Sequence, residues 1–487
     1  MAFAVAACKL CLLPYTAPAM TVSRPRIVLI ALAVLALAGL ALVWLVDLNA
    51  YKPRIEAAAS RASGMEVRIG GDIGLGFYPG LRVRIDDLRV RNRGTDLLAV
   101  ERVRAGVGWQ ALLAGRVELD SLTLRAPVLH IERGADGRYN HERSEPSGKP
   151  ASPFRLGRLT ASDATVHYVD RQGGRSIDAS ACRVDLRDWV FAGGPAAEAR
   201  RRLALRGELA CATLRTAGQS VSDLSASLVA EAGTYTLAPL RLRLFDAQGS
   251  GRVRADFTAD LPTVQMEMAL PRFSLADALA LKPGQQAPEG RADFAASLTM
   301  QGRDAIALKR SLQGKVSLRG SGIVLHGVDL DETFDRFEDS QRFNLVDVGA
   351  VLLAGPIGLA VTKGHDFASI LGGLKGRSDI RTLVSDWSVS RGVLQAQDVA
   401  IATQRHRVAM QGRLNLVDQR FDGVTVALLD SDGCATVRQA IRGSFARPEI
   451  ERPSTLRTLA GPVVRLFKQV VPGTCEPYYR GSVARPQ

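Results

Sequence analysis

Beyond Asp47 the chain keeps a period of two. Leu81-Arg-Val-Arg-Ile85 sets apolar against basic side chains, and Leu88-Arg-Val-Arg91 repeats the pattern. Leu240-Arg-Leu-Arg-Leu244 is the cleanest instance, and Val264-Gln-Met-Glu-Met-Ala-Leu270 is another. Successive side chains of a strand point to opposite faces, so this alternation builds sheet with one apolar and one wet side. Gly, Asp, Asn or Pro interrupts it about every 8–12 residues, the rhythm of meandering antiparallel strands.

Helical patterns are few. Asp47 to Ala62 reads as a short helix with Asn49 as its cap, Pro53 in its first turn and Ser63-Gly64 as its stop. Trp109 to Ala114, Ser274 to Leu281, Asp304 to Leu312, Asp329 to Phe343 and Ser454 to Val470 read as further helices. Polar breaks at Glu142 to Pro153 and Lys282 to Gly290 read as linkers or long loops. There is no exact internal repeat.

An open sheet rarely exceeds about ten strands without curling, splitting or closing. Roughly 25 strands at ~4.8 Å spacing would run on the order of 100 Å as one sheet. Alternation alone leaves two outcomes open: several sandwich or barrel domains with packed cores, or one long sheet curled into a trough. Aromatics make up only 6% of the chain, so the apolar side is mainly Leu, Val, Ile and Ala. Such an aliphatic lining suits acyl chains, and it also suits an ordinary core.

In front of this body stands the uncharged run Ile27 to Val46, about 20 residues long and matched to a hydrocarbon core of roughly 30 Å. Arg24 and Arg26 precede it and Asp47 follows, which places the N-terminus in the cytoplasm and the body outside. A cleaved signal is the competing reading, but the run exceeds an h-region of about 7–15 residues and ends in Trp-Leu-Val-Asp. Met20 heads a short conventional n-region and is a second candidate start. Cys8-Lys-Leu-Cys11 is a lone CxxC with no second pair.

The net charge of +14 comes nearly all from Arg. Coding bias toward Arg accounts for it, and so would attraction to anionic headgroups. The basic residues are spread along every strand rather than clustered, which argues against nucleic acid. Cys182, Cys211, Cys434 and Cys475 lie beyond the anchor, and an even number in an oxidising compartment suggests two disulfides. Proximity favours Cys182 with Cys211 and Cys434 with Cys475, each worth on the order of 3–4 kcal/mol in the chain-entropy model. Four free, buried thiols are the plainer alternative.

Chemistry is hard to find. His130, His141, His167, His326, His365 and His406 are scattered singly, with no partner at metal-ligand spacing. There is no G-x-S-x-G elbow and no phosphate loop. Asp86-Asp87 and Asp329 with Asp331 read as turn and cap residues, and Gly74-Leu-Gly76 as a strand connection. No catalytic, cofactor or metal residue is assigned; the chain is not read as an enzyme.

Tyr51-Lys-Pro-Arg-Ile, Ser63-Gly-Met-Glu-Val-Arg-Ile-Gly-Gly-Asp-Ile73, Phe77-Tyr-Pro-Gly-Leu81 and Asp87-Leu-Arg-Val-Arg-Asn92 together resemble the membrane-proximal start of the AsmA family. Trp109-Gln-Ala-Leu-Leu-Ala-Gly115 and Gly137-Arg-Tyr-Asn140 continue the likeness. Gly320-Ser-Gly-Ile-Val-Leu-His-Gly-Val-Asp-Leu330, Cys434 and Cys475-Glu-Pro-Tyr-Tyr-Arg-Gly-Ser-Val483 are similar to its later parts. The resemblance implies a periplasmic body anchored in a bacterial inner membrane. It also implies a curled β-groove like that of bridge-like lipid transfer proteins, and a role in outer-membrane lipid supply or assembly. Phe343 to Ile370 has no clear counterpart. Asp347, Pro356 and Lys363 break its apolar run, so it reads as a buried helix or groove plug rather than a span. The basic amphipathic pattern of Ser454 to Val470 fits a sheet cap or an interfacial helix.

The expected fold is therefore mostly β: an N-terminal transmembrane helix, then a long curled antiparallel sheet with a few short helices. The expected division is 1–26 cytoplasmic, 27–46 transmembrane, 47–153 N-terminal β module, 154–320 central sheet and 321–487 C-terminal region. The expected function is conduction of phospholipid acyl chains, with Leu81, Val83, Ile85, Leu240, Leu242 and Leu244 on the groove floor. Two alternatives stand beside it: a periplasmic scaffold or assembly factor for outer-membrane proteins, and a packed β-protein with only a structural role.

Overall fold

The computed structural model describes residues 48–76, 80–108, 119–142, 153–216, 219–279, 287–327, 329–332, 334–335, 376–451, 454–455 and 475–486. The chain divides into two compact units, Met1–Ile55 and Glu56–Gln487. A 3-10 turn at Leu48–Tyr51 leads into helix α1, Lys52–Ser63, within which the division falls. Gly64, at a φ of 73° that favours glycine, ends that helix where the sequence places the stop. The expected anchor, 27–46, lies outside the described residues. Among the described residues no helix is long and apolar enough to cross a membrane.

The second unit is a 21-stranded sheet. Its strands are β1 (Glu66–Ile69), β2 (Ile73–Gly76), β3 (Leu81–Asn92), β4 (Thr95–Val107), β5 (Leu119–Arg133), β6 (Phe154–Asp170) and β7 (Arg175–Phe191). There follow β8 (Leu203–Thr216), β9 (Gln219–Glu231), β10 (Thr234–Leu244), β11 (Ala247–Asp256), β12 (Thr263–Ser274), β13 (Glu289–Gln301) and β14 (Gln313–His326). The last seven are β15 (Arg377–Ser390), β16 (Val393–Ala402), β17 (Arg407–Asn415), β18 (Arg420–Leu429), β19 (Ala435–Ser444), β20 (Arg447–Ile450) and β21 (Ser454–Thr455).

From β3 to β19 each strand pairs with the next in sequence, so the meander read from the turns is one sheet rather than several sandwiches. β1 and β2 share the free side of β3, and β20 and β21 share that of β19. Among the described strands nothing joins the two ends, and the sheet is open. One step corrects the antiparallel expectation: β5 and β6 run parallel. A parallel step needs a crossover of about a dozen residues or more, and the stretch between Arg133 and Phe154 supplies that length. Alternation reports which face a residue takes, not which way its strand runs.

Two short helices sit between strands where the sequence places them. Helix α2, Leu275–Ala278, starts behind Ser274, whose hydroxyl accepts from the Asp277 amide. Helix α3, Ala305–Ser311, starts behind Asp304, whose carboxylate accepts from the Ile306 and Ala307 amides. Helical backbone begins at Leu330, and the rest of the run expected to reach Phe343 extends past the described residues. Ser454 and Thr455 correct another expectation: they pair as a strand with Arg438 and Val437 instead of opening a helix. Gly74 and Gly76 lie within β2 rather than in a connection. The helix expected at Trp109 to Ala114 lies outside the described residues.

Candidate functional site

Cross-strand pairing carries the apolar alternation across the whole sheet. One row passes through Val83, Ala105, Leu122, Leu159, Leu186, Gly207, Leu228 and Leu237. It continues through Val253, Met266, Leu298, Gly314, Val389, Leu394, Leu414 and Phe421, from β3 to β18. A second row, two residues along, joins Ile85, Val103, Leu124, Ala161, Val184, Leu209, Ala226 and Leu240. It runs on through Gly251, Met268, Ala296, Val316 and Trp387. Each strand's period of two has been put in register with its neighbours, and the product is one continuous apolar face. Gly207 leaves that face room: a Cβ there would stand 2.5 Å from the Leu186 Cδ2.

A crease crosses the same face. At one level the alternation slips on seven neighbouring strands, leaving two successive residues outside the apolar rows. These are Asp86-Asp87, Glu101-Arg102, Arg125-Ala126, Ser162-Asp163, Ser180-Ala181, Ala212-Thr213 and Ser222-Asp223, on β3 to β9. Five of the seven strands place one of the two at positive φ: Asp87 at 48°, Ala126 at 45°, Asp163 at 54°, Ala181 at 49° and Asp223 at 51°. Such irregularities bend a strand and increase its twist. At this level the apolar side holds small residues: Ala161, Ala164, Ala179 and the Cys182–Cys211 pair form a buried cluster. Side chains crowd on the inside of a bend, so small residues there indicate bending toward the apolar face. Asp86-Asp87 are thus part of the crease in mid-strand, not turn or cap residues.

Exposure of the apolar face changes along the sheet. In β3 and β10 its residues are half-buried, including Leu81, Val83, Ile85, Leu240, Leu242 and Leu244. Ile85 and Leu240 share a row although six strands lie between theirs. From β13 onward the face closes, and Leu414, Val424, Val426 and Ile441 are fully buried. Leu330 and Phe334 pack into that same cluster. The opposite side of β15 to β19 is covered as well, by Tyr478, Tyr479 and Val483 lying on Ala400, Ala409 and Ala427. This tail is held by the Tyr479 hydroxyl and the Ser482 amide, both donating to Asp398, and by Arg407 donating to the Val483 carbonyl 3.1 Å away. Burial pushes the Tyr479 hydroxyl well above its usual range, and the neighbouring Asp398 carboxylate pushes it further.

The wet face carries ion pairs between strands. Arg102 meets Asp86 at 2.6 Å, and Asp185 accepts from both Arg158 at 2.6 Å and Arg187 at 3.1 Å. Those two guanidiniums hold the Asp185 carboxyl down at about 2.

Cys182 and Cys211 stand directly opposite one another on β7 and β8, with Cα atoms 4.0 Å apart. Cys434 and Cys475 are 6.2 Å apart between Cα atoms and tie the tail to the start of β19. Both pairs are those that sequence proximity favours, at disulfide distance. Single-residue inspection missed the company kept by the histidines. Parallel pairing sets His130 beside His167, ring centroids 4.8 Å apart, with His167 bonded to Asp178 at 2.6 Å. His406 sits between Asp331 at 2.9 Å and Asp335 at 3.3 Å, so Asp331 does more than cap a helix. Among the described residues no three such groups converge to hold a metal ion.

No curated protein and no solved structure matches the chain significantly. The model of the AsmA family, a group generally associated with membranes, matches residues 25–181. That match covers roughly a third of the chain, from the expected anchor to Ala181 on β7, and supports the resemblance to the AsmA family read from the sequence.

Proposed function

We propose that this protein binds and conducts phospholipid acyl chains along its apolar face, as an inner-membrane-anchored periplasmic protein serving outer-membrane lipid homeostasis. The observation that supports this most is the register. Apolar rows run unbroken from strand to strand, and in β3 and β10 their residues stay half-exposed, with no second layer of protein over them among the described residues. The crease supports a sheet curled around them. Two acyl chains of ~16 carbons expose roughly 30 methylenes, and at ~0.8 kcal/mol each that is on the order of 25 kcal/mol. Shielding of that size lets a lipid cross an aqueous gap with no covalent step, so this reading requires no catalytic group.

Replacing Leu242 by Asp or Arg is expected to strip co-purifying lipid while leaving the circular dichroism of the sheet intact, because the residue is half-exposed. Native mass spectrometry of gently purified protein that finds no lipid on the unaltered chain would remove this reading. A scaffold for outer-membrane proteins is the second reading. Its support is the outer side of β2, which among the described strands pairs with β3 alone; the outer side of β1 is less open, because the Val67 and Ile69 amides donate to Ser60 and Glu56.

A further inference from the structure

Ion pairs stand on both rims of the sheet, where its strands begin and end, and so do exposed apolar residues, Val169 and Ile177 on one and Leu261 and Ile306 on the other. On one rim, Arg133, Arg138, Arg171, Arg377 and Arg405 each face a carboxylate. The other rim is formed by the turns before β8, β10, β12 and β14. Hydrogen bonds link these turns into one continuous edge. Arg201 donates to the Phe257 and Ala259 carbonyls at 2.7 and 3.0 Å, and Arg303 donates to the Asp260 carbonyl at 3.1 Å. The Gly302 amide donates to the Pro262 carbonyl at 3.0 Å.

Two features of this linked edge have no internal explanation. Leu261 and Ile306 are 55% and 62% exposed, although they are large and apolar. Beside them, Arg200, Lys309 and Arg310 have no carboxylate at ion-pair distance among the described residues; Arg200 instead lies over the Phe257 ring, 5.3 Å from its centroid. On α3, Ile306 and Arg310 are four residues apart and so project from the same side. Apolar tips flanked by unneutralised cations match a layer of anionic headgroups over hydrocarbon: the tips enter the acyl boundary while the cations meet phosphate. Phe257 and Tyr235, edge to face on this rim, continue into the apolar rows behind it.

We infer that this rim, centred on Leu261, Ile306, Arg303 and Arg310, docks on an anionic bilayer surface. Lipid then enters the apolar face from the side, over this linked edge. The inference rests on the lipid-conducting reading and adds the edge of entry and the headgroup charge that favours it.

The test places a photo-crosslinking p-benzoylphenylalanine at 261 or 306 in the full chain. A control position is 172, on the turn between β6 and β7 at the opposite rim. Each protein is reconstituted with phosphatidylcholine vesicles, with or without phosphatidylglycerol. Lipid adducts are expected at 261 and 306, not at 172, and on the order of tenfold more with phosphatidylglycerol. The double change Arg303→Glu and Arg310→Glu, or high salt, should remove that gain. Native mass spectrometry of the double variant should still show bound lipid, since the floor is untouched. Equal adducts on both rims, indifference to phosphatidylglycerol, or adducts to protein in place of lipid would overturn the docking surface. Loss of lipid on Leu242→Asp with undiminished rim adducts keeps docking and floor separate. Absence of bound lipid on the unaltered chain defeats the conduit, whatever the rim does.

Discussion

The sheet from β3 to β12 and the sheet from β13 to β19 share an apolar face but use it in opposite ways. In the first, the face is half-open in β3 and β10, the other side is wet and salt-bridged, and β3 to β9 are bent at a common crease lined by small buried residues. In the second, the apolar face closes into a cluster that includes Trp387, Leu414 and Ile441, and from β15 onward the C-terminal tail covers the other side as well. The same alternating sequence yields a half-open surface where no described residue covers it and a core where something does. The contrast assigns stability chiefly to the C-terminal part.

Three measurements would sharpen that contrast or break it. The largest effect is expected from Leu414→Ala, which removes a fully buried side chain and should cost about 2–5 kcal/mol. Leu240→Ala, on the half-open face, should cost about 1 kcal/mol, near the transfer free energy of the area it still buries. Equal costs in urea unfolding would mean that the first part is also a packed core.

A smaller effect is expected from freeing the tail. Cys475→Ser opens the loop to Cys434, 41 residues apart in sequence, and in the chain-entropy model should destabilise by roughly 3 kcal/mol. Tyr479→Phe, which removes the bond to Asp398, should cost about 1 kcal/mol. Both should let protease cut after residue 475 while the β6 to β9 region stays protected. Cleavage spread evenly along the sheet would show that the tail holds more than its own end.

The smallest effect is expected from the wet face. The Asp185 carboxyl is held below its ordinary value in the folded protein, so its stabilisation is complete above the unfolded value of about 3.9. It fades as pH falls toward 2. Because the group is partly exposed, the loss should stay under about 1 kcal/mol. Asp185→Asn should flatten that part of the acid-unfolding curve. An unchanged curve would mean that the arginine pair contributes nothing there.

Much of this fold could be read in advance, for a local reason. Leu81-Arg-Val-Arg-Ile85 and Leu240-Arg-Leu-Arg-Leu244 say which residues share a face, and the caps Ser274 and Asp304 say where short helices start. Those signals lie within a few residues of each other. The crease was written in the sequence too, in outward doublets such as Asp86-Asp87 and Ser222-Asp223. Each doublet alone resembles a turn, and only pairing shows seven of them on one line. The parallel step from β5 to β6 and the meeting of His130 with His167 depend on strand direction, to which a period of two is blind.

The amino-acid order by itself determined the two-sided character of the strands, and it favoured the cysteine pairing that the structure shows. Which part of the greasy side stays open and which is sealed was decided only by tertiary structure. Burial depends on what packs against a face, and Phe334 and Tyr479 reach theirs from far along the chain.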